Sequence, residues 1–189
     1  MRICIFGAAS NDIDHVYVDG VYQLACTLAG RGHSLMFGGG MNGLMGASAR
    51  GFTDGGGHII GVAPQFFDQP GVLYGQCDEF VFTDSMRDRK KYMEDNSDAF
   101  IVVPGGIGTY EEFFEVLTLK SLGRHGKPIV LYNINGFYDN LVRMIEEGDE
   151  KGFIRTVVHS LYECTADPDE VIRYIEAGDM DTSDAKIYG

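Results

Sequence analysis

One short segment of the chain combines a glycine-rich turn, a helix start and a carboxylate. Pro104-Gly105-Gly106-Ile107-Gly108-Thr109-Tyr110-Glu111-Glu112 follows an apolar run at 99–103 and precedes an amphipathic run at 113–122. We therefore predict a strand, a tight turn and a helix in that order. Such a turn directs free backbone N–H groups and the positive end of the helix dipole toward a bound anion, most often a phosphate. The carboxylate of Glu112 lies beside this anion site, and such an unfavourable charge pairing indicates chemistry rather than simple binding.

The same segment also has a purely structural interpretation. Thr109 and Glu112 match the capping-box pattern Thr-x-x-Glu, in which the threonine caps a helix and the glutamate bonds back to the threonine N–H. No Gly-Lys-Ser/Thr sequence follows the glycines, so the segment is not the phosphate loop of P-loop NTPases. The local sequence leaves capping and catalysis both open for Glu112.

A basic cluster lies on a second predicted helix, at 85–96, which begins after another strand. Arg89 shares one face of this helix with Met86, Lys90 and Met93, at i, i+3, i+4 and i+7 spacing. An arginine flanked by methionines is typical of a pocket residue that binds an anion or orients a carboxylate. The other two basic residues of the cluster, Arg87 and Lys91, lie on an adjacent face and fit a solvated surface.

A second glycine-rich turn, at 38–43, matches the pattern Gly-x-Gly-x-x-Gly. The dinucleotide-binding form of this pattern follows the first strand and has an acidic residue about 20 positions later. Here the turn follows the second predicted strand, and the next strand ends near 62–63 without an acid, which disfavours a nicotinamide cofactor. Gly39 and Gly40 instead indicate close approach of the main chain to a ligand or a neighbouring helix.

Strand-like and helix-like segments alternate along the whole chain. We predict strands at 2–7, 33–37, 58–62, 80–82, 99–103, 128–132 and 157–163, and helices at 15–30, 43–54, 85–96, 109–122, 136–150 and 167–176. This alternation predicts an α/β fold, a three-layer sandwich with a mainly parallel sheet covered by helices on both faces. Ligands of such sheets bind beyond the carboxyl ends of the strands, at turns such as 7–10 and 104–109. Residues 1–180 are expected to form a single domain, with a frayed tail at 181–189.

The amino-acid composition limits the binding partners and the cellular compartment that we expect for this protein. The chain has 189 residues and a formal net charge of −13, which argues against nonspecific binding to nucleic acid or to an anionic membrane. The apolar runs are far shorter than the roughly 20 residues of a membrane-spanning helix, and no signal peptide is recognised. Four scattered cysteines predict reduced, mostly buried thiols in a cytoplasmic protein. The five histidines lack metal-ligand spacing, and no metal is expected.

Taken together, these motifs resemble a known family. The turn at 38–46, Met86-x-x-Arg89-Lys90 and the segment at 104–112 are similar in order and spacing to the Lonely Guy (LOG) family of cytokinin-activating phosphoribohydrolases. The resemblance implies a Rossmann-like fold, a homodimer, no cofactor, and hydrolysis of the N-glycosidic bond of AMP or N6-substituted AMP to base and ribose 5-phosphate. It implies Arg89 and Glu112 as the catalytic pair. The substrate-binding residues that we expect are Gly39, Gly40, Met86, Lys90, Gly105, Gly106, Ile107, Gly108, Thr109, Tyr110 and Glu111.

Two other functional classes compete with this interpretation. A noncatalytic module could use the same turn to sense AMP. A decarboxylase, the activity once suggested for many family members, generally needs pyridoxal phosphate on a lysine, and no lysine here has an apolar setting. Base preference is expected to depend on Met86, Met93 and the loop at 65–77.

Overall fold

Seven strands and six helices alternate along the chain in the computed structural model, which describes residues 1–178. The strands are β1 (Arg2–Phe6), β2 (Ser34–Phe37), β3 (Ile59–Pro64), β4 (Glu79–Thr83), β5 (Ala99–Val102), β6 (Ile129–Tyr132) and β7 (Glu163–Thr165). The helices are α1 (His15–Gly30), α2 (Gly43–Asp54), α3 (Met86–Asn96), α4 (Ile107–Ser121), α5 (Asp139–Glu150) and α6 (Pro168–Glu176). Short 3-10 turns lie at Gln65–Phe67, Ile134–Gly136 and Thr156–Ser160.

All seven described strands belong to one parallel sheet with the order β4-β3-β2-β1-β5-β6-β7. The chain runs outward from β1 to β4 and then returns to β5, which pairs with β1 on its other side. The order therefore reverses between β1 and β5, and the connections after these two strands leave in opposite directions. Parallel sheets bind ligands in the crevice at such a switch point.

Two apolar layers lie on opposite faces of the sheet because successive strand residues point to opposite sides. Ile3 and Ile5 of β1 belong to the layer covered by α1, α2 and α6. Cys4 and Phe6 belong to the layer covered by α3, α4 and α5. The predicted three-layer α/β/α sandwich is confirmed, and the sheet is parallel throughout its described strands rather than only mainly so.

Several element boundaries differ from the prediction. The last strand is the three-residue β7, because 157–163 is largely a 3-10 turn. β3 runs through Pro64, which has extended backbone angles and pairs with Thr83 of the edge strand β4. α4 begins two residues earlier than predicted. The predicted tail at 181–189 lies outside the described residues, so the domain boundary near 180 stays a prediction.

The cysteines are less buried than predicted. All four are free thiols, but only Cys4 is buried, whereas Cys26, Cys77 and Cys164 are partly exposed. Among residues 1–178, no helix is both long enough and apolar enough to cross a membrane.

Hydrogen bonds to main-chain groups hold the turn after β5 in place. Val103 N donates to the carbonyl of Phe6, and Ala8 N donates to the carbonyl of Pro104, so the turns after β1 and β5 are joined. The fully buried Tyr138 hydroxyl donates to the carbonyl of Val103 at 2.7 Å. This side chain from the start of α5 therefore satisfies a buried carbonyl immediately before the glycine-rich turn.

Replacing Tyr138 with phenylalanine is expected to destabilise the fold by about 1–3 kcal/mol, because the buried Val103 carbonyl loses its donor. Urea unfolding measures the change. The matched control is Tyr22→Phe, whose hydroxyl bonds Asp54 at the surface and whose loss should cost no more than about 0.5 kcal/mol. Equal effects of the two substitutions would contradict this role of Tyr138.

Candidate active site

A cavity of about 380 Å³ lies at the carboxyl edge of the sheet, beside the switch point between β1 and β5. The turns after β1 and β2, the first turn of α4, one arginine of α3 and the loop at 65–77 form its walls. Its lining residues are Gly7, Ala8, Ala9, Gly38, Gly40, Asn42, Met45, Phe67, Val72, Leu73, Arg89, Gly106, Gly108, Thr109 and Glu112.

The first turn of α4 faces this cavity without a cap. Gly106 is the N-cap residue, and no side chain in the described part of the chain caps this end. Within residues 1–178, the N–H groups of Ile107, Gly108 and Thr109 donate to no protein acceptor. Helix N-termini with free amides favour anions. The capping box is therefore wrong: the helix begins before Thr109, whose side chain is buried, and Glu112 does not bond back to it.

The N-terminus of α2 differs because the protein itself satisfies it. The amides of Leu44 and Met45 donate to the carbonyl of Ala8, and Gly43 N donates to Oδ1 of Asn11. The first three amides of α2 are therefore already bonded to the protein, unlike those of α4. The turn at 38–43 contributes its main chain to the cavity wall, which it approaches closely.

Arg89 and Glu112 form a buried ion pair at the base of the cavity. Arg89 Nη2 donates to Glu112 Oε1 at 3.1 Å, and the two side chains are 9% and 10% exposed. Within residues 1–178, other donors of the guanidinium lack an oxygen partner: Nε is buried without a hydrogen bond, and Nη1 contacts only the Met86 sulfur at 3.8 Å. Since a buried donor without an acceptor costs free energy, this arginine is suited to binding a ligand oxygen.

Burial raises the pKa of the Glu112 carboxyl from its usual 4.5 to about 7. The neighbouring Arg89 opposes this rise in pKa, while Glu111 and Glu115 add to it through like-charge repulsion. Glu112 is therefore a carboxyl group that exchanges its proton near neutral pH. A group of this kind can accept a proton from water and return it within one reaction cycle.

Lys90 lies away from the cavity. Its ammonium pairs with Glu111 and with Glu115, the latter at 2.6 Å, in a separate charged depression between α3 and α4. Glu111 lies there as well. In the free protein, these two predicted binding residues neutralise each other instead of facing the space beside Glu112.

The structure divides the sequence-predicted residues into two sets. Those that line the cavity are Gly40, Arg89, Gly106, Gly108, Thr109 and Glu112. Those that do not are Gly39, Met86, Lys90, Gly105, Ile107, Tyr110 and Glu111. Ile107 points outward with 84% of its surface exposed, and Tyr110 packs edge-on against Tyr138. Met93, expected to contribute to base preference, is instead fully buried in the apolar layer beneath the sheet.

Several lining residues carry no motif of their own. Ala8 and Ala9 belong to the turn after β1, within the segment at 7–10 where the sequence predicts that ligands bind. Phe67, Val72 and Leu73 come from the loop at 65–77. That loop is held against the glycine turn, since Met41 N donates to the Val72 carbonyl and Tyr74 N to the Gly39 carbonyl. No local pattern reveals such pairing.

Acidic and metal-ligating side chains do not gather into a metal site in the part of the chain that the structure describes. No group of three or more histidine, cysteine, aspartate or glutamate residues there is arranged to hold an ion.

Comparison with known proteins identifies the family. A family model described as possible lysine decarboxylase matches residues 45–175. The chain is 35% identical to a cytokinin riboside 5'-monophosphate phosphoribohydrolase of Arabidopsis thaliana, over 93% of this chain and 82% of that protein. It is 41% identical to a probable enzyme of the same name from Oryza sativa subsp. japonica, over 81% of this chain and 72% of that protein.

Solved structures of more distant proteins share the fold. The molybdenum cofactor carrier protein of Chlamydomonas reinhardtii superposes with a TM-score of 0.70 at 22% identity, over 93% of this chain and 96% of that one. The molybdenum cofactor binding protein of Rippkaea orientalis gives 0.69 at 20% identity, over 93% and 94%. The predicted Rossmann-like fold is thereby confirmed. With its motifs, its family match and its close relatives in agreement, the chain belongs to the Lonely Guy (LOG) family.

Proposed function

We propose that this protein hydrolyses the N-glycosidic bond of adenine nucleoside 5'-monophosphates, N6-substituted ones above all, and releases the base and ribose 5-phosphate. One observation carries the proposal: a buried Arg89–Glu112 pair and an uncapped helix N-terminus face the same cavity. The names of the relatives support this substrate class.

The 5'-phosphate is assigned to the first turn of α4. The free amides of Ile107, Gly108 and Thr109 can donate to its oxygens, and the helix dipole favours its negative charge. Gly106 and Gly108 leave this backbone uncovered, since a Cβ atom at either position would meet no atom of the described residues within 4 Å. The unpaired donors of Arg89 can bind a phosphate or ribose oxygen from the other side.

Glu112 is assigned to the reacting carbon. In the proposed step its carboxylate takes a proton from water, the water oxygen bonds C1' of the ribose, and the bond from C1' to the base nitrogen breaks. The electron pair of that bond goes to the base nitrogen, and the proton that Glu112 took from water is transferred to the departing base, which restores the carboxylate. Negative charge at Glu112 also stabilises the positive charge that develops on the ribose, as carboxylates do in glycoside hydrolysis.

The base is assigned to the apolar side of the cavity. Phe67, Val72 and Leu73 line it together with Met45. Moving an N6-alkyl group from water to such a wall lowers the free energy of binding by roughly 25 cal/mol per Å² of apolar area buried. This supports N6-alkylated AMP over AMP itself as the preferred substrate.

Decarboxylation has less support from the site. Within residues 1–178, the lining of the cavity includes no lysine, the residue that a pyridoxal phosphate Schiff base requires. A noncatalytic nucleotide sensor would have no use for a carboxyl group that repels the phosphate beside it.

The proposal extends to the setting of the reaction. We assign the protein to the cytoplasm, where free thiols such as its four cysteines persist. We also propose a homodimer, on the resemblance to the family. The exposed side chain of Ile107 beside the cavity is compatible with coverage by a partner subunit. Light scattering measures the assembly.

Glu112→Gln and Arg89→Ala are each expected to lower kcat for base release by at least about 100-fold, because each removes a group assigned to the transition state. Chromatographic detection of free base from isopentenyl-AMP and from AMP is the measurement. Arg87→Ala, an exposed arginine on the same helix, is the matched control and should retain wild-type activity. If the wild type binds both nucleotides but releases no base from either, the protein is the noncatalytic sensor.

The raised pKa of Glu112 also predicts a pH-dependent stability. Between pH 4.5 and 7 the folded state binds more protons at Glu112 than the unfolded state, so stability falls as pH rises through that window. Relative to Glu112→Gln, the wild type should lose on the order of 3 kcal/mol of unfolding free energy from about pH 4.5 to about pH 8. Urea unfolding at both pH values measures this loss.

A matched control for the pH experiment is Glu146→Gln, which alters an exposed carboxylate on α5 and should behave like the wild type at both pH values. A constant difference between the wild type and Glu112→Gln would show that Glu112 does not titrate in this range.

Leu73→Ala is expected to lower kcat/KM for isopentenyl-AMP about 10-fold more than for AMP, because the apolar contact with the N6 substituent shrinks. Parallel kinetics on the two nucleotides measure the ratio. Phe66→Ala is the control, since Phe66 belongs to the same loop but is 55% exposed and does not line the cavity. Equal losses on both nucleotides would place the base elsewhere.

A further inference from the structure

Gly38, directly after β2, lies against the head of Arg89. A Cβ atom at this position would be 2.2 Å from Arg89 Nη2 and 3.0 Å from its Cζ. The same Nη2 atom donates to Glu112. Gly38 therefore lies directly beside the hydrogen bond that joins Arg89 to Glu112.

We propose that Gly38 is a positioning residue, whose missing side chain leaves the space in which the Arg89 guanidinium can reach Glu112. The proposal rests on the function proposed above for that pair. The first glycine of the turn at 38–43 would then position Arg89, a role distinct from binding the nucleotide and from reversing the chain direction.

Space, rather than backbone conformation, requires glycine here. Gly39 has a φ of +77°, which side chains rarely adopt, but Gly38 has no such positive φ. Alanine is therefore compatible with the backbone at 38, and its effect must come from the added methyl group. Ordinary van der Waals contacts begin near 3.4 Å, so an approach to 2.2 Å forces one of the two groups to move by about 1 Å.

The guanidinium is the group that can move most easily. It is the far end of a side chain with several rotatable bonds, whereas the Cβ atom is fixed to a backbone that continues from a central strand of the sheet. The other close contact of that Cβ atom, the Met45 sulfur at 3.2 Å, is much less severe. Displacement of the guanidinium lengthens its 3.1 Å bond to Glu112, and the carboxyl group loses part of its nearest positive charge.

The kinetic test is Gly38→Ala. A 1 Å misplacement at an active site can cost 100-fold in rate, so we expect kcat to fall by about that factor with a much smaller change in KM. Because Arg89 holds down the pKa of Glu112, its displacement should also move the acidic limb of the kcat/KM profile to higher pH. A merely structural defect would lower the amount of folded enzyme without moving this limb. Wild-type kcat together with an unmoved limb would overturn the proposal.

A stability cycle tests the same contact without any activity. Gly38→Ala should lower the urea midpoint of the wild type, and this loss should largely disappear when Arg89→Ala removes the side chain it collides with. An equal loss in both backgrounds would overturn the proposal, because the methyl group would then be colliding with something other than Arg89. Gly30→Ala is the control for a tolerated glycine replacement, since a Cβ atom there meets nothing within 4 Å among residues 1–178.

The two tests separate this proposal from the function on which it rests. If the wild type releases no base, the proposed function fails, and the stability cycle still decides whether Gly38 makes space for Arg89.

Discussion

The buried contact between Arg89 and Glu112 is the interaction on which the rest of the site depends. Removing two charges from water costs several kcal/mol per ion, and a pair recovers this cost only when its remaining donors and acceptors are satisfied. Here a single 3.1 Å bond joins the pair, and Nε of the arginine has no partner among the described residues. The pair is therefore poorly suited to stabilising the folded state. Its features suit a site that a ligand completes, with oxygen acceptors for the unused donors.

The order of the strands explains how residues from distant parts of the chain meet. β4 lies at one end of the sheet, and α3 must carry the chain from there to β5, past β3, β2 and β1. At about 4.8 Å per strand this crossing spans on the order of 19 Å. Met93 anchors α3 in the apolar layer beneath the sheet, and Arg89, one turn earlier, reaches the carboxyl edge. The path of its side chain passes the end of β2, where Gly38 leaves room.

Features that depend on local periodicity could be predicted from the sequence. Features that depend on contacts between distant residues could not. Alternating apolar runs and glycine turns predicted most strands and helices. The positions of two predicted helices after strand ends placed Arg89 and Glu112 at one edge, and the family resemblance implied that they form a pair. β7 was misplaced because three residues carry too little pattern. The capping box failed because Gly106, with extended backbone angles, can begin the helix before Thr109. Gly38 and Arg89 are 51 positions apart, so their contact had no local signature.

The uncapped helix and the high pKa of Glu112 raise one physical difficulty, and the position of Arg89 answers it. Glu112 lies four residues beyond Gly108, about 6 Å along the axis of α4, so a phosphate on the first-turn amides would oppose ionisation of the carboxyl group. A carboxyl group kept protonated could not act as a base. The guanidinium already bonds Glu112 and has donors left for a ligand oxygen, so it can serve as counterion to both groups. Its planar fork contacts two acceptors at once, which the ammonium of a lysine would do less well. In the proposed reaction, the phosphate can therefore bind close to Glu112 while its carboxyl group stays able to ionise and act as a base.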